Sequence, residues 1–193
     1  MRPLILVALA AASLGAQNAP VPPAAQQIAA AVLPLPAEMR EGATVMGYKE
    51  ANKLVVLREG KNAMICLALY VSRPDFHVAC YHRSLEPFMA RGRALRAQGV
   101  TGAKVDSVRF AEITSGKLKM PPQGTLYSIT TKKENFDAAT NKVKDAGLLV
   151  VLYIPGATPE STGISAQPRE DGPWLMFPGT PKAHVMMSGK MAP

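Results

Sequence analysis

The sequence lacks the short motifs that most often identify an enzyme. It contains no Gly-x-Ser-x-Gly nucleophile elbow, no Gly-x-Gly-x-x-Gly loop, no Walker phosphate loop and no His-Glu-x-x-His zinc helix. Catalytic groups can also converge from distant positions, so this absence disfavours an enzyme without excluding one. The sequence therefore favours a binding role, and no motif in it calls for a cofactor.

Long hydrophobic runs are also missing. Beyond the N-terminus, apolar stretches such as residues 148–154 have the length of a strand, whereas a bilayer-spanning helix needs about 20 residues. Residues 4–12 are apolar, follow one arginine and precede small residues, which is the pattern of a secretory signal peptide. We predict a signal peptide over residues 1–16, cleaved after Gly15 or Ala16. The mature chain is then a soluble secreted or periplasmic protein without a transmembrane segment.

Residues 17–42 differ in composition from the rest of the chain. They hold five prolines and many alanines, and proline both fixes φ and removes an amide donor. We therefore predict an extended leader here, with two helical turns over residues 26–33. Residues 43–193 have an ordinary composition and a length that fits a single domain.

Acidic residues are fewer than basic ones, 14 against 22, which gives a formal net charge of +8. The excess gathers in the middle of the chain, at Arg83, Arg91, Arg93, Arg96, Lys104, Arg109, Lys117 and Lys119. A basic surface attracts nucleic acid or anionic lipid. Export and the lack of a nucleic-acid-binding motif argue against nucleic acid. An anionic envelope surface or a small ligand remains a candidate partner, beside the simpler interpretation of a solvated basic face.

Local patterns predict a mixture of strands and helices. β-branched and aromatic segments predict strands over residues 43–49, 54–58, 63–70, 76–81, 125–130, 148–154 and 183–187. Helices are predicted over residues 84–98, with Ser84 as N-cap and Gly99 just past the end, over residues 104–114, and over residues 136–146. The first two strands look hairpin-linked, so the sequence predicts one α+β domain with a largely antiparallel sheet and two or three helices.

Four stretches of the chain carry a resemblance. They read VLREGKNAMIC, FHVACYHRSLEPFMARGRALRAQG, SGKLKMP and GPWLMFPGTPKAHVMM. These stretches resemble a group of uncharacterised exported bacterial proteins across residues 28–187. The two cysteines and the phrase G-P-W-x-M-x-x-G-T-P-x-A-H-x-M are the marks of that group. The resemblance implies a fold that recurs in exported proteins and implies no activity.

The stretch DFHVACYH, residues 75–82, places one of only two cysteines between two of the three histidines. Three interpretations compete. A disulfide between Cys66 and Cys80 suits a chain sent to an oxidising compartment. A zinc or copper site would use His77, His82 and the cysteines, although alternation along a strand turns His77 away from Cys80. A catalytic Cys80 would need an exposed thiolate and a histidine base.

The C-terminal region holds the remaining candidates. His184 is the histidine we would assign to a secreted hydrolase, alone or with an unrecognised carboxylate; with Met186, Met187 and Met191 it also offers ligands suited to copper. Trp174, the only tryptophan, is a candidate floor for a ligand pocket or a core anchor. The leading hypothesis is a disulfide-stapled binding module of the cell envelope. A hydrolase is the second hypothesis and a periplasmic metal or copper binder the third.

Overall fold

The computed structural model describes residues 20–70 and 73–190 of the chain. The described residues contain helices α1 Ala24–Ala31, α2 Ala37–Arg40, α3 Glu86–Ala97, α4 Ala103–Thr114 and α5 Pro159–Thr162. Their strands are β1 Thr44–Glu50, β2 Lys53–Arg58, β3 Met64–Leu67, β4 Asp75–His82, β5 Gly124–Lys132, β6 Phe136–Asp137, β7 Lys142–Val143, β8 Gly147–Tyr153, β9 Trp174–Met176 and β10 His184–Lys190. The predicted signal peptide, residues 1–16, lies outside the described residues.

Eight of these strands form one sheet in the order β2-β1-β3-β4-β5-β8-β10-β9. Every neighbouring pair is antiparallel except β1 and β3, which run parallel. Strands β6 and β7 form a separate small hairpin. The prediction of an α+β fold with a largely antiparallel sheet is confirmed. None of the helices in the described part of the chain has the length and hydropathy that crossing a bilayer requires.

One face of the sheet, here called the α1 face, is covered by helix α1, which packs across β1 and β4. Because side chains alternate along a strand, every second residue of β4 points to this helix. Phe76 and Val78 pack there with Ala30, and Cys80 packs with Ala31. These side chains are fully or almost fully buried, so α1 closes a large part of the hydrophobic core.

The opposite face, here called the α3 face, is covered by α3, which has α4 at its side. Tyr81 of β4 and Tyr153 of β8 point to this face and pack with Phe88 of α3. The rings of Phe88 and Tyr153 meet edge to face, with centroids 6.4 Å apart. The sheet is therefore a central layer between helices, and each strand residue belongs to one of two chemically separate environments.

The segment expected to be an extended leader is folded from residue 24 onwards. Helix α1 overlaps the helical turns predicted over residues 26–33 but begins and ends two residues earlier, and Ala31 and Leu35 are almost completely buried. The amide of Gln27 exchanges two hydrogen bonds of 2.8 Å with the backbone of Tyr48, where strand β3 no longer pairs with β1. Residues 24–42 thus pack as part of the domain, because their apolar side chains have a sheet face to cover.

The helix predicted over residues 136–146 is wrong; the hairpin β6–β7 occupies this segment. The side chain of Asp137 accepts hydrogen bonds from the backbone of Ala139 and Thr140, which stabilises a turn in place of a helix. Asn141 and Asp145 have positive φ, a conformation that a continuous helix excludes. The apolar spacing had the period of a helix, but local side-chain bonding decided the conformation.

Two smaller features of the first long helix were predicted with different success. Gly99 has a φ of +82° and follows the last turn of α3, as predicted for a residue that ends a helix. Ser84, predicted as the N-cap, lies inside a short 3₁₀ turn, Arg83–Leu85, that precedes α3. The capping group is the His82 imidazole, whose Nδ1 accepts a 3.3 Å hydrogen bond from the Ser84 amide.

Candidate functional site

The two cysteines form a disulfide inside the sheet. Cys66 of β3 and Cys80 of β4 face each other directly in the antiparallel pair, with Cα atoms 3.9 Å apart. Both side chains are fully buried beneath α1, and Cys80 Sγ lies 3.2 Å from the carbonyl oxygen of Ala31. A thiolate nucleophile at Cys80 is incompatible with this bond, so the sulfur atoms serve the architecture of the sheet.

The two histidines of DFHVACYH do not meet at one site. His77 pairs with Thr130 of β5 on the α3 face, and its Nδ1 lies 2.8 Å from Thr130 Oγ1. His82 is an even-numbered residue of β4, so it alternates to the face opposite His77. Its Nδ1 contacts the hydroxyl and the backbone amide of Ser84 in the 3₁₀ turn that His82 caps. Within residues 20–70 and 73–190, no group of three or more His, Cys, Asp or Glu side chains is arranged to hold a metal ion.

His184 begins β10 and is almost completely buried, with 5% of its surface exposed. Its Nδ1 donates a 2.6 Å hydrogen bond to the carbonyl oxygen of Lys182, which leaves Nε2 unprotonated in the neutral ring. The ring packs between Tyr153 and Phe177, with centroid distances of 4.9 and 5.7 Å. Burial is the main cause that lowers the pKa of His184, so the ring is neutral at pH 7.

Asp106, a carboxylate close enough to affect the pKa of His184, has its hydrogen bonds with other residues. One Asp106 oxygen pairs with Arg109, and the other accepts a 2.8 Å hydrogen bond from Lys182 Nζ. Burial raises the pKa of Asp106, but these two hydrogen bonds outweigh burial and lower it overall. Arg109 is 4% exposed and lies over the Phe88 ring at 3.7 Å. These residues tie α4 to α3 and to the segment before β10.

Trp174 and the methionines near His184 are divided between the two faces of the sheet. Trp174 of β9 pairs with Met186 of β10, two positions along from His184, and is half-buried. Met186 packs toward the α3 face, whereas Met187 packs with the cluster on the other face. Met191 lies outside the described residues. The ring contacts of His184 are with Tyr153 and Phe177, so Trp174 is not part of this cluster.

Several of the predicted basic residues have partners within the fold. Arg91 forms a bidentate pair with Glu112, at 2.6 to 3.0 Å. Arg93 donates hydrogen bonds to the Tyr81 hydroxyl at 2.9 Å and to Glu86 at 2.6 Å, and the hydroxyl donates to Glu86 at 2.5 Å. Burial is the main cause that raises the pKa of Tyr81. The exposed basic charge is therefore smaller than the composition indicates.

A cleft of about 200 Å³ opens between α1 and the β6–β7 hairpin. Its walls are mainly apolar and are formed by Pro22, Gln26, Gln27, Ala30, Leu69, Phe76, Lys133, Phe136 and Ala138. The rings of Phe76 and Phe136 are stacked, with centroids 4.4 Å apart. The polar amide of Gln27 is bonded to the backbone of Tyr48 and Pro22, so the cleft presents apolar carbon to a ligand.

A second, wider groove of about 660 Å³ adjoins this cleft at Lys133. Its walls are polar and charged, formed by Pro74, Asp75, Thr130, Thr131, Lys132, Lys133, Glu134, Asn135 and Asp145. Neither cavity contains the disulfide or any of the histidines, and Trp174 lines neither of them. Sequence reasoning missed these walls because residues 136–146 were predicted to be a helix. The cluster of Asn and Asp residues around that segment was the available signal for a turn.

Comparison with other proteins adds no assignment. No protein-family model matches this chain, and no match was found among curated proteins or among solved structures. Function is therefore inferred from the amino-acid sequence and from the geometry of the described residues.

Proposed function

We propose that this chain is an exported binding protein that takes a small apolar ligand in the cleft between α1 and the β6–β7 hairpin. The cleft itself is the observation that carries the proposal. Ligand sites are concave and mostly apolar, and this cleft has stacked aromatic walls beside a polar groove. Its volume of about 200 Å³ slightly exceeds that of a cavity of about 150 Å³ that is known to hold benzene, so a single ring with a short chain fits.

Export is supported by two independent features. The N-terminal sequence has the pattern of a signal peptide. The disulfide between Cys66 and Cys80 is of the kind that forms and persists in oxidising compartments. The covalent link lies under α1, a wall of the cleft, which packs on the bridged strand β4. We infer that the mature protein acts in the periplasm or outside the cell.

Binding is favoured over hydrolysis by the environment of His184. A general base needs access to a substrate proton, and the surface of His184 is almost completely buried. Its Nδ1 bonds a backbone carbonyl, and the carboxylate of Asp106 is already bonded by Arg109 and Lys182. The metal hypothesis has equally little support, because His77 and His82 lie on different faces of β4 and the sulfur atoms are bonded to each other.

The proposal is tested by titrating the protein with 3-phenylpropan-1-ol while amide resonances are followed by NMR. Ala138 is exposed and lines the cleft, so Ala138→Trp fills the site without disturbing the core. We expect the dissociation constant to rise at least tenfold in this variant. Ala139→Trp is the matched control, because Ala139 is exposed next to it and does not line the cleft; its dissociation constant should stay within twofold of wild type. Absence of binding, or equal binding by both variants, would reject the proposal.

A further inference from the structure

The apolar cleft and the polar groove meet at Lys133 in the short 3₁₀ turn Lys133–Asn135, which links β5 to β6. The chain runs through this junction twice. Phe76 lines the cleft and its neighbour Asp75 lines the groove, while Phe136 lines the cleft and its neighbour Asn135 lines the groove. Asp75 and Phe76 themselves point to opposite faces of β4, so the two cavities adjoin through Asn135, Phe136 and the shared Lys133. A polar group attached to a ring in the cleft therefore has the Asn135 side of the groove as its neighbouring surface.

The groove carries charges of both signs. Three acidic residues, Asp75, Glu134 and Asp145, and two basic residues, Lys132 and Lys133, line it. Asp75 accepts a bidentate pair from Arg73, at 2.8 and 3.0 Å, which fixes that carboxylate at the edge of the groove. A ligand with a single charge is attracted by the residues of opposite charge in the groove but repelled by those of like charge. A ligand with both charges has an attractive partner for each of them and is therefore electrostatically complementary to the groove.

We propose that the ligand is a small zwitterionic aromatic compound of the amino-acid type, with its ring in the cleft and its ammonium and carboxylate groups in the groove. This inference rests on the proposed function and specifies the ligand class of the same site. The ring is favoured because the partly exposed Phe136, stacked on the fully buried Phe76, forms an aromatic wall of the cleft. The zwitterion is required because both signs of charge line the adjoining groove.

A matched series of four compounds tests the ligand class. L-Phenylalanine carries both charges, 3-phenylpropanoate only the carboxylate, 2-phenylethylamine only the ammonium group, and 3-phenylpropan-1-ol neither. At low ionic strength we expect phenylalanine to bind at least tenfold more tightly than the alcohol, with the two singly charged compounds between them. Equal affinity across the series would overturn the zwitterion inference while leaving the apolar site in place. Failure of the alcohol itself to bind would instead reject the proposed function.

Two variants assign the charges. Lys132→Gln removes one positive charge from the groove, and we expect it to weaken phenylalanine and phenylpropanoate at least threefold without weakening phenylethylamine, which loses a like charge. The double variant Glu134→Gln with Asp145→Asn should weaken phenylalanine and phenylethylamine without weakening phenylpropanoate. Asparagine tolerates the positive φ of position 145, so this variant keeps the turn. A uniform loss across all four compounds in either variant would contradict the assignment.

Discussion

Cys66 and Cys80 stand directly opposite each other on adjacent antiparallel strands, and the bond between them lies under helix α1. The pair therefore links strands β3 and β4, and the sulfur of Cys80 also contacts the Ala31 carbonyl of α1. This arrangement explains why a stretch as rich in potential ligands as DFHVACYH shows no convergent site. The cysteine side chains lie on the α1 face and are bonded to each other, while His77 lies on the α3 face.

The disulfide is expected to stabilise the fold mainly by restricting the unfolded chain. The two cysteines are 14 residues apart, and a loop of this size contributes about 3 kcal/mol. The double variant Cys66→Ala with Cys80→Ala should lose about this much free energy of unfolding in urea denaturation. Reduction of the wild-type protein should have a similar effect. A loss below about 1 kcal/mol in both measurements would show that the bridge is not a structural staple.

Arg109 is expected to be the basic residue on which stability depends most. It is buried between Gly92 and the Phe88 ring, and it pairs with Asp106. Arg109→Ala removes this packing and leaves Asp106 with Lys182 alone, so we expect a loss of about 2–4 kcal/mol in the free energy of unfolding. Arg96→Ala is the control, since Arg96 also approaches Gly92 but is exposed. Comparable losses in the two variants would contradict the role given to Arg109.

The Tyr81 hydroxyl is expected to contribute through its two charged partners. Tyr81→Phe keeps the ring in the core and removes hydrogen bonds to Glu86 and from Arg93. Hydrogen bonds to charged groups are strong, but Glu86 and Arg93 still bond each other, so we expect a loss of about 1–2 kcal/mol in urea unfolding. Tyr127→Phe on β5 is the control, because its hydroxyl has no hydrogen-bond partner among the described residues. A loss in the control as large as that in Tyr81→Phe would count against the network.

Stability is expected to fall as the pH drops below about 6.5. Burial is the main cause that lowers the pKa of His184 in the folded protein; Lys182 lowers it further and Asp106 opposes the shift. In the unfolded chain His184 takes up a proton near its ordinary pKa of 6.5, whereas in the folded chain it stays neutral to lower pH. The contribution of neutral His184 to the free energy of unfolding is fully present above pH 6.5 and is lost as the pH falls toward the lower pKa of His184 in the folded protein.

His184→Gln should reduce this pH dependence, measured as the free energy of unfolding between pH 7.5 and pH 5. Some slope should persist, because burial also lowers the pKa of His77. The window ends at pH 5 to exclude the carboxylates, among them Asp106, whose lowered pKa values affect stability only in more acid solution. An identical slope in wild type and His184→Gln would show that His184 takes up a proton without cost to the fold.

The N-terminal residues make a prediction of their own. When the full-length chain is expressed in a bacterial host, the protein recovered from outside the cytoplasm should begin at Gln17, or at Ala16 if cleavage follows Gly15. Its intact mass should show no alkylated thiol until the protein is reduced under denaturing conditions. Recovery of a chain that retains its first 16 residues, or that has two reactive thiols, would contradict export by a cleaved signal peptide.

The elements of the sheet were largely predictable from sequence. Strands rich in Val, Ile and Tyr, such as β5 and β8, follow from local preference, and Gly99 marks the end of α3 because glycine adopts positive φ without strain. The number of cysteines and the expected compartment also favoured the disulfide, which the structure contains. The strands and the end of α3 depend on the local sequence, and the disulfide prediction depends on the number of cysteines.

The helix over residues 136–146 failed because its apolar period was compatible with two conformations. Phe136 and Val143 lie seven positions apart, which suits one side of a helix and equally suits two paired strands. The Asp137 side chain and the stacking of Phe136 on Phe76 decided between them. The stacking of Phe136 on Phe76 joins residues 60 positions apart in sequence, so it cannot be predicted from the local sequence around either residue.

The amino-acid sequence by itself determined the class of the fold and the positions of most strands, because these depend on local preference and composition, and it favoured a bond between the two sulfur atoms. Only the tertiary structure decided that His77 and His82 lie on opposite faces of β4, that His184 is buried against Tyr153, and that an apolar cleft adjoins a charged groove. The reason is physical: a cavity and a buried ring are made by side chains from distant segments, and their geometry exists only once the sheet has assembled.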